Sequence, residues 1–349
     1  MAVIALPLRT DRLVVRRMTP ADAAALAAYR SHPDVARHQS WDAPFPISSA
    51  VELIAGQGDL AGPTPGHWVQ LAVEVGTTMV GDVAVRLDDA GSVAEVGYTL
   101  DPAHQGHGHA VEAVGAVVDA LLAAGVHRVE AGLDPSNGPS RRVLERLGFV
   151  LEGVARQAHL ERGEWVDDER WGLLADDRAA WLARPVGPAD EVELVELAHD
   201  TVHAYLRLRT HPSQRRLVAT LGQSFADLAV DHPDDGGGTV EPWVRGIAAD
   251  GEPAGFVMTQ EPTATSPEPY LWRLLIDRRH QGRGIGTVVV ARVAERYRTL
   301  GCESLAVSWE PGPGSPEPFY RGLGFVPTGD IVQGEVVGRL ELRGATPGG

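Results

Sequence analysis

The chain contains two copies of one sequence pattern, and a constant 176 residues separates Gln105 in the first copy from Gln281 in the second. Other landmarks repeat at the same spacing without a gap. The matched pairs are Gly108 and Gly284, Gly125 and Gly301, Pro135 and Pro311, Leu147 and Leu323, and Phe149 and Phe325. A run of landmarks at constant spacing predicts two copies of one domain.

A segment rich in Pro and Gly lies between the copies. Residues 183–188 read Ala-Arg-Pro-Val-Gly-Pro, which is typical of a linker. A length of 349 residues also exceeds what one ordinary core supports. The sequence therefore predicts a first domain over residues 1–184 and a second over 185–349, with the linker at about 183–190.

The composition excludes several classes of function. All 31 basic residues are Arg, so a Walker A loop and a Schiff-base lysine are both absent. A net charge of −16 argues against nucleic-acid binding. Cys302 is the single cysteine, which rules out an intramolecular disulfide and a Cys-based zinc cluster.

No apolar run is long enough to span a bilayer, and the first residues lack the basic region of a signal peptide. We therefore expect a cytoplasmic protein with no membrane partner. The oligomeric state is open.

Each copy has the pattern of a mixed α/β domain, with several strands, a Gly-rich loop, one long helix and further strands. In the first copy, we expect strands at 68–75, 79–86 and 93–100 and a helix over about 108–124. In the second copy, we expect strands at 244–249, 254–259 and 271–276 and a helix over 284–300.

The Gly-rich loops are the part of the sequence that indicates a ligand-binding site. Glycines let the backbone approach a ligand closely, and successive N–H groups at a helix start point towards an anion. A Gly-rich helix start without a ligand is the alternative for either loop alone. The pattern Q-x-x-G-x-G/A is met by Gln281, Gly284 and Gly286, and by Gln105, Gly108 and Ala110.

This pattern resembles the pyrophosphate-binding loop of GNAT acetyltransferases. The resemblance implies an α/β fold of two tandem GNAT domains, each with a mixed, mostly antiparallel sheet flanked by helices. It also implies acetyl-CoA as the co-substrate and an amine as the acceptor. Three histidines near the first loop, at positions 104, 107 and 109, could suggest a metal, but no nearby carboxylate or Cys completes a ligand set, so no metal is expected.

The resemblance also implies which residues meet the coenzyme. The backbone at Leu100 and Ile276 would pair with the pantetheine arm. The N–H groups that would bind the two pyrophosphates belong to His107, Gly108, Ala110 and Val111 in the first loop, and to Arg283, Gly284, Gly286 and Thr287 in the second.

In the second copy, Tyr320 lies five residues before the Phe of the Leu-Gly-Phe motif. The resemblance implies that a Tyr here donates a proton to the departing thiolate, and the chemistry needs such a donor. A Tyr packed in a helix core is the alternative, although Phe319 can fill that role. Pro313 stands where many family members have Asn, so one pantetheine contact is expected to be missing.

The second copy further resembles the spermine/spermidine, or diamine, branch of the family, through runs such as residues 212–219, 255–258 and 272–277. Its 22 acidic and 15 Arg residues give it a net charge of −7, which favours encounter with a cation. Glu310 is the candidate for binding or deprotonating the amine, and a solvated Glu at a strand end is the alternative.

The first copy has Leu144 where the second has Tyr320. Its residues 134–149 resemble the branch that acetylates the N-termini of ribosomal proteins. That resemblance implies a pantetheine contact for Asn137 and a place near the thiolate for Ser140, which is equally well explained as a helix N-cap. Glu95 is a candidate base acting through water, with an exposed strand Glu as the alternative.

The sequence thus predicts an acetyl-CoA-dependent N-acetyltransferase acting on a primary amine of a small cation such as a polyamine. Two alternatives stay open. The first domain could acetylate a peptide N-terminus, with the second supporting it, or the chain could be a non-enzymatic acyl-CoA sensor. A retained Tyr320 favours the enzyme, because a sensor needs no proton donor.

Overall fold

The computed structural model describes residues 4–228, 242–312 and 314–342. The chain divides into two compact units, Met1–Ala183 and Arg184–Gly349, and the border lies in the Pro- and Gly-rich segment. The predicted domain bounds, residues 1–184 and 185–349, stay a prediction. None of the described helices is long and apolar enough to cross a membrane.

The first unit alternates strands and helices. Its strands are β1 (Leu8–Arg9), β2 (Val14–Arg17), β3 (Trp68–Val75), β4 (Thr78–Leu87), β5 (Val93–Leu100), β6 (Arg128–Leu133), β7 (Val150–Glu161) and β8 (Glu164–Leu174). Its helices are α1 (Ala23–Arg30), α2 (Pro33–Ala36), α3 (Ile47–Gly56), α4 (His109–Ala123), α5 (Gly138–Leu147) and α6 (Ala175–Leu182).

These strands form one sheet in the order β1-β2-β3-β4-β5-β6-β8-β7. Every neighbouring pair is antiparallel except β5 and β6, which are parallel. The parallel ladder pairs Val93 with Arg128 and ends where Glu95 meets Glu130. The far end of β5, towards Leu100, therefore separates from β6 and leaves a gap in the sheet.

Helix α4 covers one face of this sheet. Val114, Val117, Val118 and Leu121 recur at helical spacing, are fully buried, and pack with strand residues such as Val85. Burying such apolar area stabilises the folded state by about 25 cal/mol per Å². The gap between β5 and β6 thus lies in a sheet that is stabilised by this core.

The second unit repeats the plan. Its strands are β9 (Val192–Val195), β10 (Pro242–Ala249), β11 (Glu252–Gln260), β12 (Tyr270–Ile276), β13 (Ser304–Trp309), β14 (Val326–Val332) and β15 (Glu335–Glu341). Its helices are α7 (Val202–Tyr205), α8 (Leu221–Leu228), α9 (Ile285–Thr299) and α10 (Glu317–Gly322). The strand order is β14-β15-β13-β12-β11-β10-β9.

Here too one pair is parallel, β12 with β13, and its ladder contains only Tyr270 with Ala306 and Leu271 with Val307 among the described residues. The remainder of β12, as far as Ile276, separates from β13. The other neighbouring strands are antiparallel. The prediction of two α/β domains, each with a mostly antiparallel sheet flanked by helices, is confirmed.

The helices and strands of the two units repeat at the same spacing of 176 residues. Helices α4 and α9 begin and end at matched positions, as do β6 and β13. Both long helices begin after a glycine with left-handed backbone, Gly108 at φ 82° and Gly284 at φ 76°.

The left-handed glycine after α5 generates a stability prediction. Gly148 has φ 91°, and an added Cβ there would lie 2.5 Å from the Trp181 ring. Gly125 has φ 92° with nothing within 4 Å of an added Cβ. We expect Gly125→Ala to lower the free energy of unfolding by about 1–2 kcal/mol, from backbone strain alone.

Gly148→Ala should lower the free energy of unfolding by roughly 1–3 kcal/mol more than Gly125→Ala does, because Trp181 must also move. Denaturant titration of both variants measures the difference. Equal losses would show that the contact with Trp181 does not matter.

Candidate active site

Each Gly-rich loop opens a long helix beside a sheet gap. The first intrahelical hydrogen bonds after the loops run from Glu112 N to Gly108 O and from Val288 N to Gly284 O. The N–H groups just before them, including those of Ala110, Val111, Gly286 and Thr287, therefore have no partner within the helix. Such a row of N–H groups at a helix start suits a phosphate.

The two loop glutamines make the same contact. Gln105 donates from Nε2 to the Leu100 carbonyl at 3.1 Å, and Gln281 donates from Nε2 to the Ile276 carbonyl at 3.0 Å. Each side chain ties its loop to the end of the central strand. These two glutamines thus stabilise the position of each loop relative to the end of its strand.

The residue between the loop glycines differs between the units. Arg283 is 6% exposed, and its guanidinium donates to Gly187 O and Asp250 and lies 3.2 Å from His280 Nδ1. Its carbonyl accepts a hydrogen bond from Ala189 N at 3.1 Å. The Arg283 side chain therefore holds the linker segment and does not face the gap. The group of Arg283 that could bind a ligand is its backbone N–H.

In the first unit, His107 occupies the matched position, and its carbonyl accepts a hydrogen bond from Arg12 Nη1 at 2.9 Å. The His107 and His109 rings are stacked with centroids 5.7 Å apart. Burial, Arg12 and His107 lower the pKa of His109. Among the described residues no cluster of His, Cys, Asp and Glu has the arrangement of a metal site.

A cavity of about 830 Å³ in the second unit extends from the loop into the gap between β12 and β13. At the loop end it is lined by Gln281, Gly282, Gly284, Ile285, Gly286 and Thr287. It is also lined by Tyr270, Ser308, Trp309, Phe319, Tyr320 and Glu335, and the Phe319 ring lies next to Gly286 of the loop. An anion-binding loop and a cluster of polar side chains thus share one cavity.

Tyr320 is 7% exposed and surrounded by aromatic rings. Its ring stacks on Trp309 at 5.8 Å and meets Phe319 and Phe325 edge to face. Burial raises the pKa of Tyr320 well above its usual range, and Tyr270 and Glu335 add to the shift. The hydroxyl is therefore held protonated at neutral pH at the cavity wall.

Sequence reasoning missed three residues of the cavity lining, Tyr270, Ser308 and Glu335. Ser308 donates a hydrogen bond from Oγ to Glu335. Burial raises the pKa of Tyr270, as does the charge of Glu335. The resemblance to the diamine branch also includes Gly334 and Glu335, but it assigns Glu335 no role.

The structure places Glu310 elsewhere. This carboxylate is 43% exposed, forms an ion pair with Arg216, and is not among the residues that line the cavity. Pro313, where the sequence suggested a missing pantetheine contact, lies outside the described residues. Glu335, and not Glu310, is the carboxylate that the fold brings to Tyr320.

The first unit has different chemistry at the matched helix. Leu144 is fully buried in the core and cannot donate a proton. Helix α5 begins at Gly138, and Asn137 is its N-cap, accepting from Ser140 N at 3.2 Å. The N-cap alternative for Ser140 is therefore wrong, because Ser140 lies inside the first turn. Its carbonyl accepts a hydrogen bond from the Tyr98 hydroxyl at 3.0 Å.

Glu95 is on β5 where the parallel ladder ends. Burial raises its pKa, Glu130 and Asp168 act in the same direction, and Arg86, at 3.7 Å, opposes them. A carboxylate with a raised pKa is a better proton acceptor near neutral pH. The role of Glu95 stays a prediction, as do those of Asn137 and Ser140.

Comparison with known proteins finds acetyltransferase family models that match both halves of the chain. Residues 12–150 match the model described as acetyltransferase (GNAT) domain, and residues 195–325 match acetyltransferase (GNAT) family. The uncharacterized N-acetyltransferase p20 of Bacillus licheniformis is 30% identical over 49% of this chain and 98% of its own length. The ribosomal-protein-serine acetyltransferase of Escherichia coli is 30% identical over 27% of this chain and 52% of its own length.

Among solved structures, Mycobacterium smegmatis RimJ in complex with CoA-disulfide is 23% identical, covers 50% of this chain and 86% of its own, and has a TM-score of 0.43. The two family matches and the whole-length match to p20 decide the assignment. The chain belongs to the GNAT acetyltransferase family and is an N-acetyltransferase with two tandem GNAT domains.

Proposed function

We propose that both units bind acetyl-CoA and that the second unit transfers the acetyl group to a primary amine of a small cationic molecule such as a polyamine. The observation that carries the proposal is a cavity in the second unit that is lined both by the Gly-rich loop and by Tyr320 and Glu335. Loop, proton donor and carboxylate are the three parts that acetylation of a cationic amine needs.

The N–H groups of the loop suit the negative charge of acetyl-CoA. The N–H groups of Gly284, Gly286 and Thr287 would bind the pyrophosphate, with the helix dipole of α9 adding attraction. Beyond Leu271, the edge of β12 that faces the gap has no strand partner among the described residues. Backbone groups there need hydrogen bonds, and the amides of a pantetheine arm can supply them.

The thioester would then lie beside Tyr320. As the amine attacks the carbonyl carbon, the C–S bond breaks and negative charge develops on sulfur. A buried, protonated phenol can give that sulfur its proton. Trp309 and Phe325 hold the phenol ring in place by aromatic packing.

A cationic acceptor is supported by the carboxylate at the far end. Glu335 lines the cavity, and a negative charge in a confined site attracts an ammonium group. The resemblance to the diamine branch supports polyamines as the compounds to test.

The first unit has a second candidate function, acetylation of a peptide N-terminus. Its resemblance to the ribosomal-protein branch and the E. coli relative favour this activity. It lacks a counterpart of Tyr320, because Leu144 fills that position in the core. A proton donor for the thiolate would have to come from another group, with Ser140 as the candidate.

We expect two molecules of acetyl-CoA to bind per chain. Gly108→Trp and Gly284→Trp should each remove one, because both positions have positive φ and a large side chain would occupy the space of the pyrophosphate. Gly301→Trp is the matched control, with φ 85° at the end of α9 outside the loop. Isothermal titration calorimetry measures the stoichiometry, and one site in the wild type would contradict the expectation.

The acceptor is tested on the full chain carrying Gly108→Trp, in which only the second unit should bind acetyl-CoA. We expect release of free CoA thiol with spermidine or putrescine, and a rate that rises with pH as the neutral amine, with a pKa of about 10, becomes available. The chain with Gly284→Trp should lose this activity. Acetylation of a peptide N-terminus or a neutral acceptor, but of no polyamine, would refute the polyamine assignment.

Tyr320→Phe should lower kcat in the same background by roughly 10²–10⁴-fold, the usual contribution of a general acid. The acetyl-CoA dissociation constant should stay unchanged, because Phe keeps the packing with Trp309. Steady-state kinetics and calorimetry give the two quantities. Wild-type turnover in the variant would remove Tyr320 from the mechanism.

A further inference from the structure

The linker segment, residues 187–191, is hydrogen-bonded to the second Gly-rich loop. The Ala189 N–H donates to the Arg283 carbonyl at 3.1 Å, and Arg283 Nε donates to the Gly187 carbonyl at 3.1 Å. The Arg283 side chain is only 5% exposed, so water does not compete easily for these bonds. One residue of the loop is thus bound to the linker segment through both its backbone and its side chain.

Asp250, in the turn between β10 and β11, connects the linker segment to Arg283. Its Oδ1 accepts from the N–H groups of Asp190 and Glu191, both at 2.9 Å, and its Oδ2 accepts from Arg283 Nη2 at 2.5 Å. The bond from the Glu191 N–H, together with those from Arg283 and Asp190, lowers the pKa of Asp250. The carboxylate is therefore ionised at neutral pH and uses both of its oxygens to hold the linker segment and the loop.

The remaining side of the Arg283 guanidinium is covered by His280, which is 1% exposed. His280 Nδ1 lies 3.2 Å from Arg283 Nη1. A guanidinium can only donate, so Nδ1 must accept in this contact. Burial lowers the pKa of His280, against the charge of Asp277, which agrees with a neutral ring. The guanidinium thus has three partners within the protein and serves the loop from outside the cavity.

The bond to Ala189 fixes the direction of a phosphate-binding group. The peptide bond between Arg283 and Gly284 is trans, and in a trans peptide the C=O and the following N–H point in opposite directions. Because the Arg283 carbonyl points to Ala189, the Gly284 N–H points away from the linker segment, and Gly284 lines the cavity. The linker segment thus orients an N–H group at the start of α9, where an anion is bound favourably.

The first unit holds the matched carbonyl with a different donor. The His107 carbonyl, at the position matched to Arg283, accepts from Arg12 Nη1 at 2.9 Å. Arg12 lies just before β2, as Ala189 lies just before β9. A side chain in one unit and a backbone N–H in the other therefore hold the same carbonyl from matched parts of the chain. In the second unit this part of the chain is the linker segment.

We propose that the linker segment, through Ala189, Asp250 and Arg283, positions the second loop for the pyrophosphate of acetyl-CoA. This role rests on the proposed binding of acetyl-CoA by the second unit. The side chains of Asp250 and Arg283 act through the loop backbone and are positioning groups. Coupling between two equilibria is reciprocal, so a linker segment that raises the affinity for acetyl-CoA is itself held more firmly once acetyl-CoA is bound.

The test uses the full chain with Gly108→Trp as the parent, so that binding of acetyl-CoA reports the second unit. Arg283→Met removes the guanidinium and keeps an apolar stem. We expect it to weaken binding of acetyl-CoA by roughly 10-fold, about the contribution of one hydrogen bond to a charged group. Asp250→Asn should have a similar effect, because Asn tolerates the φ of 52° at this position but lacks the charge. Calorimetry gives the dissociation constants.

Arg298→Met is the matched control. Arg298 is also on α9 and also donates to a backbone carbonyl, that of Leu342 at 2.8 Å, but at the end of the helix distant from the loop. Its loss should leave the affinity for acetyl-CoA unchanged. Arg283→Lys should recover part of the affinity, because an ammonium group can still pair with Asp250. Denaturant titration of each variant without ligand separates a loss of binding from a loss of folding.

Hydrogen exchange followed by mass spectrometry measures the reciprocal effect. The amides of Ala189, Asp190 and Glu191 donate the bonds of the linker segment. Saturating acetyl-CoA should slow their exchange in the parent by about the same factor of 10, because the coupling is reciprocal. The same addition should have little effect in Arg283→Met. A residue that only stabilises the fold would not produce this dependence on the ligand.

Either of two results would overturn the positioning role. Arg283→Met and Asp250→Asn could both bind acetyl-CoA with the affinity of the parent. Acetyl-CoA could also bind the parent, as measured by calorimetry, without slowing exchange in residues 189–191. A parent chain that binds no acetyl-CoA would instead refute the proposed function, on which the positioning role depends.

Discussion

The short parallel ladder in each sheet is the constraint on which the candidate sites depend. In the second unit, β12 and β13 pair through two residue pairs and then separate, while β12 stays paired with β11 and β13 with β15. Each strand is thus held by its outer neighbour, on either side of the gap. The backbone edge exposed in the gap must find other hydrogen bonds, which makes it a place for a ligand with amides.

Position relative to this gap explains the role of each neighbouring element. The Gly-rich loops follow the separated ends of β5 and β12, so the N–H groups at the starts of α4 and α9 face the wide end of the gap. The narrow end, where Tyr270 still pairs with Ala306, is the place of the polar side chains of Tyr270, Ser308 and Glu335.

The two units keep this architecture but differ in what surrounds it. The loop residue is His107 in one and Arg283 in the other, and only Arg283 uses its side chain to hold the segment at Gly187. The helix before the Leu-Gly-Phe motif presents Leu144 to the core in one and Tyr320 to a cavity in the other. The two units therefore keep one fold with different side chains at these matched positions.

Local signals in the sequence were sufficient for the fold and for the loops. A gapless repeat at 176 residues, together with the helix and strand patterns, predicted two α/β units, and the left-handed glycines at 108 and 284 lie where the loop motif indicated. Such features depend on residues close together in the chain, so spacing alone reveals them.

The polar cluster beside Tyr320 was decided by tertiary structure alone. Tyr270, Ser308 and Glu335 come from three strands, and only the order β15-β13-β12 brings them onto one cavity wall. The sequence pointed instead to Glu310, just after β13, where the chain turns it outward to Arg216. It also left Ser140 as a possible N-cap, a role that Asn137 has. A motif specifies which residues are neighbours in the chain, whereas the direction of a side chain depends on strand register and on partners distant in sequence.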